Sequence, residues 1–545
     1  MRFSCICKLV FGCLLIHSSI VAQTPNEILG RPTDSSMTIS VLFNQPTEVY
    51  WEYGTSPGSH AHTTPAHQAL KDTPLEIDFS GLNPDTRYYY RTRSRMAGST
   101  GPFSLGVEHR FMTQRSPAAT YSFTIEADEH LYDIKGVRSL YKICLENQAK
   151  DEPDFMLSLG DIFGDDHYPT TITSAKMDEL HKDYRQYLGN ICHSIPFFVC
   201  LGNHEGEKDY YLTQNPPDNM AVYATLWRKF YYPNPYPNNF YTGNNDLEPY
   251  DMGHPENYYA WKWGDALFVV LDVYRDQCDT SAKPKNWDWS LGLPQYTWLK
   301  NTLENSHEKY KFVFAHHTRG EGRGGAATAK YVEWGGYEPN GVTWGFATHR
   351  PGWAKPIHQL FVDNGVNIFF QGHDHLFAHE VLDGVTYQEV PMPSDSTYEL
   401  GVLANADAYL TDIFAGSGHL KVTVSPQCIK VDFIRAWLPA DTLSGAHHNR
   451  EVAFSYTIGN CSSGVNNLSE GHDVTVYPNP ASKELTISTP DHTGHFQAVL
   501  INTLGRKLLQ TQSNVIDVSS FPAGIYMLEI RSATYEMYKK VIISR

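Results

Sequence analysis

The fold is decided by the stretch P-F-F-V-C-L-G-N-H-E, which runs from Pro196 to Glu205. An apolar run long enough for one buried strand leads here into a glycine and then into polar side chains that bind metals. Four other apolar runs end in the same way, at Asp128-Glu129-His130, at Asp161, at His316-His317 and at His373-Asp374-His375. Because ligands of open α/β sheets bind outside the carboxyl ends of the strands, we expect these five ends to meet at one crevice.

The segments between these runs favour helices. Apolar residues recur at helical spacing in Gly136–Gln148 and in Met177–Leu188. Strands that alternate with helices are typical of an α/β core. We therefore predict a central α/β domain over residues 118–460.

No single motif in this set is specific. An aspartate after a strand is usually a turn former or a helix cap, and a chain with 25 histidines contains stray His-x-His pairs. The ordered set of D-x-H, G-D, G-N-H-E, H-H and G-H-x-H, each at its own strand end, is what predicts a metal centre.

This ordered set resembles that of the calcineurin-like metallophosphoesterases. Together with the strand-rich region that precedes it, the chain is most similar to the purple acid phosphatase branch. The resemblance implies a four-layer core, in which two packed β-sheets are flanked by helices. It also implies a secreted enzyme that hydrolyses phosphate monoesters with a metal-activated hydroxide.

The resemblance further implies a ligand set for two divalent metal ions. The first ion would take Asp128, His130, Asp161 and His375. The second ion would take Asp161, Asn203, His316 and His373. A shared carboxylate suits two cations that lie about 3.5–4 Å apart, and mixed imidazole and carboxylate ligands suit zinc, manganese or iron.

His204 is the candidate catalytic residue, because it follows Asn203 directly and a histidine there would protonate the leaving group. The alternative is that His204 only orients a ligand. Candidate substrate-binding residues are His317, Arg319 and Arg323, with a solvated loop as the alternative.

One departure from the purple enzymes has a chemical consequence. They carry a tyrosine three residues after the bridging aspartate, whose phenolate binds ferric iron, whereas this chain has Gly164 there. His130 supplies a D-x-H motif that the purple enzymes lack. We therefore expect no purple colour and two divalent ions.

The region before the core predicts a β-sandwich over residues 25–115, with strand-like runs separated by turn residues. Its stretch Gly81–Tyr90 resembles the turn and strand of fibronectin type III-like domains. The first 22 residues combine a positive start, an apolar run and a small-residue end, which indicates a cleaved secretory signal rather than a membrane anchor.

The C-terminal region, residues 474–545, follows a polar linker at 461–473. Its short strand-like runs, one of which is Gln497–Leu509, predict a small β-sandwich. The segments Tyr477–Ala481, Asn502–Arg506, Gly524–Tyr526 and Lys540–Ile543 resemble the sorting domain of type IX secretion substrates, the Por secretion tail. This resemblance implies passage across a bacterial outer membrane, so we expect the type IX machinery as a partner and a secreted or outer-surface location.

Composition excludes some functions and leaves others open. The formal net charge of −17 argues against a protein that tracks the backbone of a nucleic acid polymer. No later run is long and apolar enough to span a bilayer, and the scattered cysteines specify no disulfide pairing. Two alternatives to a phosphomonoesterase remain: a phosphodiesterase acting on nucleotides or phospholipid headgroups, and a non-catalytic surface adhesion protein.

Overall fold

The computed structural model describes most of the chain. The described residues are 25–164, 172–208, 219–277, 285–318, 323–409, 412–461, 475–488, 496–502, 506–532 and 536–545. The predicted export signal, the linker after its first residue and Arg319 lie outside these ranges. The chain divides into two compact units, residues 1–459 and 460–545, so the N-terminal β-region and the central region belong to one unit.

The N-terminal region is a β-sandwich within the described residues. Its strands β1 to β8 are Asn26–Gly30, Ser36–Leu42, Thr47–Gly54, His62–Thr63, His67–Ala69, Leu75–Ser80, Arg87–Met96 and Ser104–Met112. One sheet has the order β1-β2-β6 and the other β4-β3-β7-β8, with β5 paired to β3. Trp51, Phe79 and Phe111 share the core between them. The Tyr88 hydroxyl accepts a hydrogen bond from the backbone N–H of Asn83 at 2.9 Å, as in a tyrosine corner.

The central region follows with strands β9 to β24 and helices α1 to α7. The strands are Tyr121–Glu126, Met156–Ser158, Phe197–Val199, Thr242–Gly243, Tyr259–Trp263, Ala266–Val270, Asp276–Gln277, Trp289–Ser290, Tyr310–Phe314, Ile368–Gln371, Leu376–Leu382, Val385–Glu389, Ile413–Ala415, Gly418–Val424, Cys428–Arg435 and Val452–Gly459. The helices are Arg138–Lys150, Ser174–Leu188, Met220–Tyr231, Gly292–Glu304, Val332–Gly335, Phe346–His349 and Ile357–Asp363.

Two sheets pack face to face in this region. The first has the order β11-β10-β9-β22-β23-β24, and the second β12-β13-β14-β17-β18-β20-β19-β21. Phenylalanines of both sheets meet between them, as where the Phe123 and Phe312 rings lie 5.5 Å apart. Helices α1 to α3 share a second core with the outer face of the first sheet, and α4 and α7 share a third with the outer face of the second. These four layers confirm the predicted architecture.

The strands that carry the candidate site run parallel within each sheet. Strands β9, β10 and β11 are parallel neighbours in the first sheet, and β14, β17 and β18 are parallel neighbours in the second. Their carboxyl ends therefore lie along one edge of each sheet. Because the two sheets are packed together, both edges border the same space.

The N-terminal sandwich is bonded directly to the central region. The guanidinium of the buried Arg185 on α2 donates to the Ser40 carbonyl at 2.7 Å. The Tyr90 hydroxyl donates to the His193 carbonyl, also at 2.7 Å. These contacts explain why the two regions form one unit.

The C-terminal unit is a second, smaller β-sandwich. Its described strands β25 to β31 are Thr475–Tyr477, Glu484–Ser488, Phe496–Asn502, Lys507–Thr511, Val515–Asp517, Gly524–Ser532 and Glu536–Ile543. They form the sheets β25-β26-β29 and β28-β27-β30-β31, with Leu485, Leu500 and Leu528 in the shared core. The run Gln497–Leu509, taken as one strand in the sequence, is an antiparallel pair of strands.

Two further features concern export. Of the described cysteines, Cys144, Cys192 and Cys200 are buried and free. In the described part of the chain, no helix combines the length and apolar character needed to cross a membrane.

Candidate metal centre

The five predicted strand ends come together at the edge where the two sheets meet. Donor side chains follow β9, β10 and β11 in the first sheet and β17 and β18 in the second. The structure groups them in three overlapping sets in which the donor atoms all lie within 4.8 Å of one another. The sets are Asp128, His130 and His375; His130, Asp161 and His204; and Asp161, His316 and His373.

Several of these donors have a left-handed backbone, which side chains other than glycine rarely adopt. The φ angles are 62° for Asp128, 45° for His130, 59° for Asp161, 80° for His373 and 62° for His375. Such residues cost of order 1–3 kcal/mol each and persist where the surroundings impose them. The sharp turns after the strands therefore aim these side chains back across the sheet edge.

The first set is held by contacts from neighbouring loops. The Asp128 carboxylate accepts hydrogen bonds from the backbone N–H of His373 at 2.8 and 3.0 Å. His130 Nδ1 lies 3.1 Å from the Asp133 carboxylate, and His375 Nδ1 lies 3.1 Å from the Leu403 carbonyl. Both Nδ1 atoms must therefore donate, which leaves the two Nε2 atoms as acceptors that face each other at 3.1 Å.

The set around Asp161 also favours a positive charge. His316 Nδ1 lies 2.8 Å from the Leu159 carbonyl and must donate to it, which turns Nε2 toward Asp161 Oδ2 at 3.0 Å. Burial opposes a charge on His316, but the carboxylates of Asp161 and Asp128 outweigh it and raise the pKa of His316 to about 10, so Nε2 carries a proton that faces Asp161. A bound cation can take the place of that proton, because the imidazole nitrogen and the carboxylates all attract positive charge.

Asp161 belongs to two of the three donor sets, the one with His130 and His204 and the one with His316 and His373. Its Oδ1 accepts the backbone N–H of His204 at 2.8 Å, and its Oδ2 is the atom that faces His316. Burial alone would raise the pKa of Asp161, but the imidazoles of His316 and His204 hold it well below its usual range. A carboxylate in this position can bridge two cations.

His204 lies beside the first set. Its ring centroid is 5.0 Å from that of His130, and its Nε2 is 3.8 Å from Asp161 Oδ2. The side chain is 10% exposed, so it borders both the donors and the opening of the site.

Asn203 is connected to the His316 side of the site. Its Oδ1 accepts a hydrogen bond from the Tyr274 hydroxyl at 3.4 Å, and the Tyr274 ring lies 5.9 Å from that of His316. The backbone N–H of Tyr274 is in turn bonded to the buried Asp272 at 2.9 Å. Tyr274 was not a sequence candidate. It lies two residues after Asp272, in the loop that follows β14.

Glu205 was not predicted to be a site residue, yet it fixes the backbone of two donor loops. Its carboxylate accepts the N–H groups of Asp161 at 3.1 Å and of Ile162 at 2.9 Å, and also that of Gly202. Burial raises the pKa of Glu205 to about 7. A side chain on Gly202 would place its Cβ 2.3 Å from Asp161 Oδ1, so the glycine is needed for this close approach.

Gly164 and His130 are structurally connected through Asp133. Gly164 has a φ of 131°, and a Cβ there would lie 2.8 Å from Cγ of Asp133, the carboxylate that faces His130 Nδ1. Any side chain at position 164 would therefore displace the partner of His130. The close contact with Asp133 leaves no room for a tyrosine at position 164, and the same Asp133 carboxylate holds His130.

The predicted substrate-binding residues differ in their placement. His317 is fully buried, with its ring centroid 4.9 Å from that of His373. Arg323 is 53% exposed, and its Nε lies 3.9 Å from Oδ1 of Asp374, the residue between His373 and His375. The structure thus brings both residues to the donor loops, while Arg319 lies outside the described residues.

Comparisons with known proteins agree with this geometry. Residues 122–377 match the family model for calcineurin-like phosphoesterases, and residues 475–544 match the model for the secretion system C-terminal sorting domain. No curated protein matches the chain in sequence.

Two solved structures share the fold. A structure of PhoD has 15% sequence identity and a TM-score of 0.55, and the match covers 81% of this chain and 91% of that chain. The purple acid phosphatase PPD1 from yellow lupin, Lupinus luteus, has 14% identity and a TM-score of 0.53, with 80% and 74% covered. At these identities the likeness shows the fold alone.

Residues 122–377 therefore form a calcineurin-like phosphoesterase domain, which confirms the predicted resemblance. Members of this family use a dinuclear metal centre, and the His and Asp clusters described above are its candidate ligands. The sorting domain marks the chain as a substrate of the type IX secretion pathway, which delivers it outside the cell or to the outer surface.

Proposed function

We propose that the chain is a secreted phosphomonoesterase that works with two divalent metal ions. The observation that carries this proposal is that Asp161 belongs to two of the three donor sets, one of which shares His130 with the set of Asp128 and His375. The resemblance of the ordered motif set and the preceding sandwich to the purple acid phosphatase branch favours monoester hydrolysis.

The residues are assigned to the ions as follows. Asp128, His130 and His375 would hold the first ion, His316, His373 and Asn203 would hold the second, and Asp161 would contribute to both. The donors are imidazole, carboxylate and amide groups, which suit zinc, manganese or divalent iron. With glycine at position 164, the site has no phenolate three residues after Asp161 that would favour ferric iron and a purple colour.

Two divalent ions in such a site supply an activated water and neutralise charge on the phosphate. The protein holds the donors rigidly, because Glu205 and the backbone N–H of His373 fix the loops that carry them. His204 is the catalytic residue in this proposal: it donates a proton to the oxygen of the leaving alcohol.

His317 and Arg323 are proposed to bind the substrate. Arg323 is half-exposed beside Asp374, so its guanidinium is free to turn toward phosphate oxygens at the mouth of the site. His317 lies deeper, next to His373, and in this proposal it orients the phosphate.

A single assay series tests the proposal. Purified protein is treated with a chelator and then assayed with zinc, manganese or ferrous iron against nitrophenyl phosphate and bis-nitrophenyl phosphate. The proposal predicts metal-dependent hydrolysis with a higher kcat/KM for the monoester. A preference for the diester would favour a phosphodiesterase, and no hydrolysis with any of these metals would favour a binding protein.

A further inference from the structure

A groove separate from the metal centre lies between helix α4 and the edge of the second sheet. It encloses about 830 Å³. Leu267 lines the groove and is paired in register with Lys311 of β17. Lys311 precedes His316 by five residues. At a rise of roughly 3.3 Å per residue, this places the groove about 16 Å from the metal centre. We call it the α4 groove.

Helix α4 presents two different faces. Tyr296, Leu299 and Leu303 are buried in the core beneath the helix. Trp298, Asn301 and Asn305 line the groove, and their spacing of three and four residues places them on one stripe of the helix. The stripe therefore carries one aromatic ring and two amides.

The aromatic ring is held in place yet remains accessible. Trp298 Nε1 donates to the Thr242 hydroxyl across the groove at 3.3 Å, and the ring centroid lies 4.9 Å from that of Tyr258. Trp298 is nevertheless only partly buried, as is Phe240 on the opposite wall. Rings that are fixed before binding offer flat apolar surface at little entropic cost.

The polar part of the lining is neutral, although the whole chain has a net charge of −17. Of the described residues that line the groove, Lys262 alone is charged, and its ammonium group is paired with Glu308. The other polar lining groups are amides and hydroxyls, including those of Gln114, Asn239 and Thr297. An amide side chain both donates and accepts hydrogen bonds.

From this lining we infer that the α4 groove binds a neutral oligosaccharide. The C–H faces of sugar rings pack against Trp298 and Phe240, while their hydroxyls exchange hydrogen bonds with Asn301, Asn305 and Gln114. The cavity volume lies within the range of small-molecule sites, and the lack of unpaired charge disfavours an anionic ligand. This inference does not depend on the proposed hydrolysis, because the groove and the metal centre are separate.

Titration calorimetry on the full chain tests the inference. The probes are maltohexaose, cellohexaose and laminarihexaose, with heparin as an anionic probe and an unstructured neutral peptide as a third class. We expect at least one neutral hexasaccharide to bind, and we expect about tenfold or weaker binding in Trp298→Ala, the loss typical of a central aromatic anchor. Asn301→Ala, an exposed substitution, weakens binding without removing a core contact.

Two controls separate this site from the rest of the molecule. Trp344→Ala removes another exposed tryptophan and should bind the sugar like the wild type. Hydrolysis of nitrophenyl phosphate should be unchanged in Trp298→Ala and Asn301→Ala. Absence of binding by all three neutral sugars, binding of heparin or the peptide alone, or unchanged affinity in both groove variants would overturn the inference.

Discussion

His204 either donates a proton to the leaving group or only orients a metal ligand, and these two roles predict different effects of removing its side chain. As a proton donor it accounts for about 10²–10⁴ in rate, so His204→Ala should lower kcat by that factor for an alkyl phosphate. The loss should be much smaller for nitrophenyl phosphate, because its leaving group departs without a proton. Metal content should stay at the wild-type level, since the contact to Asp161 is made by the backbone N–H of residue 204.

Measurements of kcat for both esters and of metal content decide between these roles. If His204 only orients a ligand, the variant loses metal and its activity falls equally on both substrates. Equal loss on both esters would therefore contradict the proton-donor role.

Gly164 gives a second prediction at the scale of one residue. Gly164→Ala places a methyl group against Asp133 and turns that carboxylate away from His130. We expect the variant to lose one of its two metal ions during dialysis, as measured by elemental analysis. Gly98→Ala is the matched control, because Gly98 also has a positive φ, of 77°, but has nothing within 4 Å of the added Cβ. Full metal content in Gly164→Ala would contradict the link between Gly164 and His130.

The donor residues could be proposed from the sequence because each directly follows an apolar run. The residues that position them could not. Glu205 and Asp133 act through backbone groups and imidazole edges that approach only after folding. The left-handed backbone of Asp128 has no marker in its residue type, since aspartate occupies many conformations.

At the scale of elements, Glu205 connects the loops after β10 and β11. Replacing it with alanine leaves the N–H groups of Asp161, Ile162 and Gly202 without their acceptor. We expect Glu205→Ala to lower the free energy of unfolding by about 1–3 kcal/mol or more, the cost of unsatisfied buried groups. Denaturant unfolding of the metal-free protein measures this, with the exposed Glu146→Ala on α1 as control. Equal stability of the two variants would show that Glu205 does not hold the loops.

Element positions were predicted with different success. The helical spacing over Gly136–Gln148 corresponds to α1 at Arg138–Lys150, and Met177–Leu188 to α2 at Ser174–Leu188. Apolar periodicity marks the buried face of a helix but not its first and last turns, which explains the shifted ends. The run Gln497–Leu509 shows the opposite problem, because the apolar residues on both sides of Asn502–Arg506 favour one long strand and hide the reversal between β27 and β28.

At the scale of the whole molecule, the contact between the sandwich and the core contains a pair of partly buried histidines. The rings of His109 and His193 stack with centroids 3.9 Å apart, and His109 Nε2 lies 3.8 Å from the Glu27 carboxylate. Burial and the neighbouring His193 lower the pKa of His109 to about 3, and burial also lowers the pKa of His193. Burial raises the pKa of Glu27, which Arg185 also faces, to about 7.

The histidine pair should make the first unit sensitive to acid, whereas Glu27, which takes up a proton in the folded state below about pH 7, acts in the opposite direction and is common to the wild type and its variants. Below about pH 6.5 the unfolded chain protonates His109 whereas the folded chain does not, so stability falls as the pH drops from 6.5 toward 3. His109→Phe keeps the ring stacking without the charge and should lose less stability than the wild type between pH 6.5 and 4. Thermal unfolding at several pH values measures the difference, with the exposed His307→Phe as control. Parallel pH profiles for the wild type and His109→Phe would contradict this explanation.

The overall architecture could be predicted because each region has its own sequence pattern. Short strand-like runs separated by turn residues mark the two terminal regions, and strands that alternate with helices mark the central region. The borders proposed within residues 25–460 remain predictions, because the sandwich and the core share contacts such as that of Arg185 with Ser40. No sequence pattern indicates a bond between residues so far apart in the chain.

The central claim is that Asp161 joins two ions in one site. Elemental analysis of the purified wild type and of Asp161→Ala tests it most directly. We predict two divalent ions per wild-type chain and, because Asp161 is shared, loss of both ions and of phosphate ester hydrolysis in the variant. A wild type that holds at most one ion when metal is supplied, or an Asp161→Ala variant that keeps two, would contradict the claim.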